Sequence, residues 1–461
     1  MTDAPPIPRP PEGLTPKLAR KILASMGENG KPPELGISHV NVGNESYLQI
    51  IDRVYIEDLI RAADGSSFKL VQGTYGAGKT HFLTCVRDLA WRRGLCGALV
   101  TISPKETPFH KPLGIYRAVA QRIELPREGE DDPVRGIDDL LRRVAEDKLV
   151  ELGREDARAW AAAALERAPL ANHAFRAAAL AYLRAVIDAE EDAQRVLSAW
   201  LRGEDVPAAP LRALGLYESP SNENGFQMLR ALLGAVVRVG HEGTVLLLDE
   251  AERRLSVESK PTKASTETID HLRELVDLCG KSELPRTLIL YAVTPAFTTH
   301  VLPLYPALQQ RLGQPVQYLS AHNPKAPLID LEALDLEPRK LLVAMGTRLL
   351  RIARRAHDWE PDEAVLGENL EALARTVTEE QLEVSHRRLF VKLWVRLLDE
   401  QRLGGVRRLD DGDIHALVHD EQVRLVEEDE VHEEAVEAAQ VMTFLGQEFR
   451  KGGEKKKPKG E

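Results

Sequence analysis

Between Tyr47 and Ala63 apolar residues return every three or four positions, at Leu48, Ile51, Val54, Tyr55, Leu59 and Ile60, the spacing of a helix with one face laid on a sheet. Downstream the pattern changes to short apolar runs separated by helical stretches. Phe68–Gln72, Gly97–Ser103, Gly243–Leu248, Thr287–Val293 and Pro315–Leu319 read as five strands. Helices are expected at Lys79–Arg93, Gly114–Ile123, Phe226–Val239, Thr266–Cys279 and Leu304–Leu312. Strands alternating with helices are the pattern of βαβ units, so the expected fold is α/β with a parallel five-stranded core, assigned to residues 36–126 and 225–322.

A whole βαβ unit takes about 30 residues, so residues 127–224 exceed what one crossover needs. Their Ala, Leu, Arg and Glu content predicts a small helical insertion, with Pro207, Pro210 and Pro220 marking the return to the core. Residues 323–450 become helical again, through Leu341–Ala353, Leu370–Val377 and Arg387–Gln401, and read as a helical lid or C-terminal domain. The proline-rich residues 1–35 read as a flexible leader with one helical turn near Leu18 to Met26. Residues 451–461 read as a charged, disordered tail.

Composition changes this picture little. With 43% hydrophobic and 29% charged residues the 461-residue chain is ordinary for a globular protein of several domains. A net charge of −11 argues against a surface given over entirely to nucleic acid. Three cysteines, Cys85, Cys96 and Cys279, lack metal-ligand spacing and point to a reducing compartment. No run reaches the roughly 20 apolar residues of a membrane span, so the expectation is a cytoplasmic protein without membrane association.

The chemistry lies at the strand ends. Gly73-Thr74-Tyr75-Gly76-Ala77-Gly78-Lys79-Thr80 matches G-x-x-x-x-G-K-[ST] and falls between an expected strand and an expected helix. Glycines let the backbone turn its N–H groups inward at a helix N-terminus, which makes an anion nest for phosphate. Lys79 is expected to reach the β- and γ-phosphates of ATP, Thr80 to ligate Mg²⁺, and His81 to adjoin the nucleotide. Val245 to Leu248 then lead into Asp249 and Glu250. Asp249 would hold Mg²⁺ and Glu250 would orient or deprotonate the attacking water. As a bare dipeptide the pair could also be solvated or cap a helix. Thr294 ends the fourth expected strand, where its hydroxyl could sense the γ-phosphate or equally cap the next turn.

With the phosphate loop, the acidic strand end and Thr294 in this order, the chain resembles the AAA-type branch of P-loop ATPases over roughly Val42 to Gln401. More narrowly, Gln72 to Leu83, with Val42-Gly43-Asn44-Glu45 upstream and Leu248-Asp249-Glu250-Ala251-Glu252 downstream, is similar to ATP-binding proteins of BREX phage-defence systems. The resemblance implies an ATPase that acts with other defence proteins and with DNA-associated complexes, as a homo-oligomer when active. It also implies that Arg311 completes a neighbouring subunit's site and that Arg387 or Arg388 is a second sensing arginine.

Arg388, Lys392 and Arg396 fall four residues apart on one face of an expected helix, a stripe that could track a DNA backbone or could be an ordinary solvated face. Arg348, Arg351, Arg354, Arg355, Arg407 and Arg408 would add to it if they converge. Two functions compete: an ATP-hydrolysing motor or switch, and a nucleotide-gated interaction protein with little hydrolysis. A small-molecule kinase lacks an acceptor-site signature.

Overall fold

The computed structural model describes residues 14–103, 107, 109–126, 133–249, 263–312, 317–333, 337–379 and 386–426. They form two compact units, one built from Lys31–Leu336 and the other from Thr15–Gly30 with the chain after Glu337.

The first unit is a sheet with helices on both faces. Its strands are β1 (Ser66–Gln72), β2 (Cys96–Thr101), β3 (Ile123–Leu125), β4 (Val134–Arg135), β5 (Thr244–Asp249), β6 (Thr287–Val293) and β7 (Leu328–Asp330), in the order β4-β3-β2-β5-β6-β1-β7. The five strands from β2 to β7 are parallel, whereas β3 pairs antiparallel with both β2 and β4. All residues of β5 and β6 are buried, because helices cover both faces, and the central positions Val245–Leu248 and Leu288–Leu290 are accordingly apolar. The pleat sends alternate residues to two cores. Val245, Leu247, Leu288 and Leu290 pack on one face with Tyr55, Ile56 and Phe82. Leu246, Leu248, Ile289 and Tyr291 pack on the other with Ile115, Phe226 and Leu272.

Two sequence expectations for this sheet need correction. Among the described residues it has seven strands rather than five, since β3 and β4 extend one edge and β4 lies inside the segment assigned to the insertion. The fifth parallel strand is Leu328–Asp330 rather than Pro315–Leu319. Of the expected strand, Tyr318 makes only an isolated bridge to Leu328 and Leu319 N–H donates to the Leu328 carbonyl at 2.7 Å. Residues 315 and 316 lie outside the described set.

After β4 the excess segment between the second and third expected strands carries helices at Ile137–Leu152, Arg154–Leu165, His173–Ile187, Glu191–Leu201 and Ala208–Ala213. Its buried Phe175, Tyr182 and Trp200 belong to the same apolar cluster as β2, β5 and β6, so its core is continuous with that of the sheet.

The second unit combines helix α1 (Pro16–Asn29) with α2 (Pro338–His357), α3 (Glu363–Glu379), α4 (His386–Gly404) and a helical stretch at 411–426. Thr15 caps α1 by accepting from Leu18 N–H at 3.2 Å, Pro16 opens it, and Gly30 ends it in the left-handed conformation. Ala19, Ile22, Leu23 and Met26 are buried, and Arg20 Nε donates to the Ala356 carbonyl at 2.9 Å. The stretch read as a mobile leader with one turn therefore contains a full helix of this unit, because its apolar residues recur on one face.

Candidate functional site

Strand β1 runs into the loop Gly73–Gly78, and a helix begins at Lys79 and continues to Arg92. Gly76 and Gly78 have φ of 76° and 93°, conformations that L side chains rarely adopt, so the turn into the helix depends on glycine at both places. The Lys79 side chain is buried and its Nζ donates to the carbonyls of Gly73 (2.9 Å) and Thr74 (3.1 Å). Thr80 Oγ1 donates to Asp249 Oδ2 at 2.5 Å, which joins the phosphate-loop helix to the end of β5 across 169 residues of sequence.

Strand order explains how Asp249 reaches this loop. β6 lies between β1 and β5, so the three strands end side by side at Gln72, Val293 and Asp249. In parallel α/β sheets the C-terminal edge is where ligands bind, beside helix N-termini. Thr294 follows β6 directly, half-buried, and its carbonyl accepts from Phe297 N–H at 3.0 Å as the chain turns. Tyr75 is exposed at the loop tip and His81 is half-buried on the first helical turn. Glu250 lies outside the described residues.

Arg311 ends the short helix Pro306–Arg311, pairs with Asp277, and donates to the Ala307 carbonyl at 2.7 Å. The Asp277 hydrogen bond is the main cause that raises its pKa. Arg387 and Arg388 belong to the second unit, in the first turn of α4.

Sequence reading missed two contributors, Glu332 and Thr298. Glu332 Oε1 accepts from the Thr74 N–H at 2.9 Å and also from its hydroxyl. Gln72, the last residue of β1, accepts at Oε1 from the Thr298 hydroxyl at 2.5 Å. Glu332 and Thr298 come from segments 258 and 226 residues away from their partners, and no local spacing marks either of them.

The basic stripe on α4 is different from the expected one. Lys392 is buried, and its Nζ lies 3.5 Å from Glu421 Oε1. Arg396 pairs with Glu400 at 2.9 Å and with Glu421 at 3.2 Å. Arg354, Arg407 and Arg408 pair with Glu363, Asp413 and Glu368. Burying a lysine requires such a counterion, so Lys392 and Arg396 of the stripe are paired within their own unit.

Among the described residues no group of three or more His, Cys, Asp or Glu side chains could hold a metal ion, and no helix is long and apolar enough to cross a membrane. No match is found among curated proteins. Among solved structures the chain is similar to the ORC2 protein of Aeropyrum pernix in its ADPNP and ADP complexes, with a TM-score of 0.44 and 13% identity over 86% of this chain and 71% of that one. The model of the BREX system ATP-binding protein BrxC/D family matches residues 14–403, and with the phosphate loop and its acidic partner inside that span, the chain belongs to this family.

Proposed function

We propose that the protein binds ATP with Mg²⁺ at the Gly73–Thr80 loop and hydrolyses it, serving as an AAA-type motor or switch in cytoplasmic anti-phage defence. The observation that carries this reading is the 2.5 Å contact between Thr80 Oγ1 and Asp249 Oδ2. A hydroxyl and a carboxylate brought together beside an anion nest are the oxygen donors a hard divalent cation takes. Mg²⁺ bound there would neutralise charge on the phosphates.

The residues divide the work by position. Backbone N–H groups of Gly76, Gly78, Lys79 and Thr80 line the loop, and Lys79 supplies a cation from within it. Glu250, next in sequence to Asp249, orients or deprotonates the water, and Thr294 holds that water or the γ-phosphate from the neighbouring strand. Arg311 acts on the site of an adjoining copy, which requires release from Asp277 and assembly of the protein when active. Arg387 or Arg388 is a second arginine that senses nucleotide. The partners are other defence proteins, with contact to DNA through them or directly.

Steady-state ATP hydrolysis tests the reading, measured for wild type, Lys79→Ala and Glu250→Gln, with and without duplex DNA. Lys79→Ala is expected to abolish nucleotide binding, whereas Glu250→Gln keeps binding and loses turnover. Equal loss of binding in both variants would remove the role given to Glu250. Tight ATP binding with negligible wild-type turnover would replace the motor with a nucleotide-gated interaction protein.

A further inference from the structure

Glu332 lies in no motif, yet it reaches the second residue of the phosphate loop. Register pairs Gln72 with Asp330, and Leu331 N–H donates to the Gln72 carbonyl at 2.9 Å, the last backbone bond between β1 and the segment after β7. The Glu332 side chain carries this ladder one step further by accepting from both Thr74 donors. The anchor is itself held: Glu332 N–H donates to Asp330 Oδ1 at 3.0 Å, and the Tyr47 hydroxyl donates to the Asp330 carbonyl at 2.9 Å.

Thr74 is thereby gripped from two sides. Lys79, with the Ala77 N–H, holds its carbonyl, Lys79 also holds that of Gly73, and Glu332 holds its N–H and hydroxyl. An ammonium has three donors, and those directed at loop carbonyls are not available to a phosphate. On the reading of Lys79 given above, ATP takes over its donors, and Thr74 then keeps the Ala77 N–H on its carbonyl at 3.2 Å and Glu332 on its N–H and hydroxyl.

We propose that Glu332 is a positioning residue for nucleotide binding, which keeps the first turn of the phosphate loop in place while Lys79 moves its donors from loop carbonyls to phosphate. The inference rests on the ATP reading. A carboxylate suits the task because hydrogen bonds to a charged acceptor are stronger than neutral ones. Both groups are exposed, which limits the effect to a moderate size.

The test measures the Kd for a fluorescent ATP analogue, KM and kcat for ATP, and the nucleotide-free melting temperature in wild type, Glu332→Ala, Glu332→Gln and Thr74→Val. Glu332→Ala is expected to raise Kd and KM by about threefold to tenfold with kcat and melting temperature near wild type. Glu332→Gln, whose amide oxygen still accepts from the Thr74 N–H, recovers part of the loss. Thr74→Val, which lacks the hydroxyl, raises Kd by itself and reduces the further effect of Glu332→Ala. Unchanged Kd in Glu332→Ala and Thr74→Val, or a lower melting temperature with Kd unchanged, overturns the proposal. Failure of the wild type to bind the analogue overturns the ATP reading instead, so the two failures are distinct.

Discussion

Replacing Glu124 with Gln should loosen the edge of the sheet from the phosphate-loop helix. Glu124 is 3% exposed, and its carboxylate accepts from Arg87 Nη1 at 2.7 Å and from Arg135 Nε at 3.0 Å. Arg87 is 5% exposed on the phosphate-loop helix, so the substitution leaves a buried guanidinium without its counterion. Removing one partner of a buried pair costs about 3–5 kcal/mol. Arg87 keeps the Glu34 carbonyl at 2.5 Å and the face of Trp91 at 4.5 Å, which places the expected loss at the lower end, about 3 kcal/mol. With an unfolding entropy of roughly 2.1 cal/mol/K per residue over roughly 300 residues, the melting temperature falls by about 5 °C. Circular dichroism at increasing temperature measures this. The double variant Arg87→Met, Glu124→Leu should recover most of the loss, since an apolar pair needs no desolvated charge. A shift under about 1 °C for Glu124→Gln would refute the argument that this ion pair fastens β3 to the helix.

His241, in the turn before β5, has a buried Nε2 without a hydrogen-bond partner among the described residues, and burial lowers its pKa from 6.5 to about 4. The unfolded chain then takes up this proton below pH 6.5 and the folded chain only near pH 4, so the stability it confers is complete above pH 6.5 and lost as pH falls through that window. Urea unfolding of wild type should weaken by about 2 kcal/mol from pH 7 to pH 5 through this group, and His241→Gln should flatten that slope; an unchanged slope would sink the assignment. In the helical unit, a Cβ on Gly346 would stand 2.2 Å from Leu370 Cδ1 and 3.1 Å from Phe390 Cζ. Gly346→Ala should therefore destabilise that unit by about 1–3 kcal/mol in thermal unfolding, and an unchanged melting curve would show that the Leu370 side chain yields freely.

The parts of the fold legible in sequence are those whose burial leaves a run. β5 and β6 are covered on both faces, so Thr244–Asp249 and Thr287–Val293 carry uninterrupted apolar stretches. β3 and β4 have three and two residues, too few for alternation to register. β7 is as short and follows Pro327, while the apolar residues near Tyr318 and Leu319 offered a stronger but misplaced strand signal. The phosphate loop is legible because its chemistry is contiguous, and Asp249 because it terminates a buried strand. Glu332, Thr298 and the Glu421 partner of Lys392 are set by tertiary proximity alone, which a linear pattern does not encode. The helical nature of Leu18 to Met26 was likewise readable, but not the unit to which it belongs.

That α1 packs with helices that begin at Pro338 has a consequence for how the polypeptide is made. Arg20 and Ala356 are joined by a hydrogen bond across 336 positions, so during synthesis α1 waits for residues more than 300 positions downstream before its apolar face is covered. Closing a loop of that length from a disordered state costs entropy, and prior folding of Lys31–Leu336 reduces the cost only by bringing its own two ends together. Synthesis order thus favours completion of the sheet-bearing unit before the helical one. A truncated chain starting at Lys31 would leave the helical unit without Ala19, Ile22, Leu23 and Met26, and would aggregate through the surface they cover.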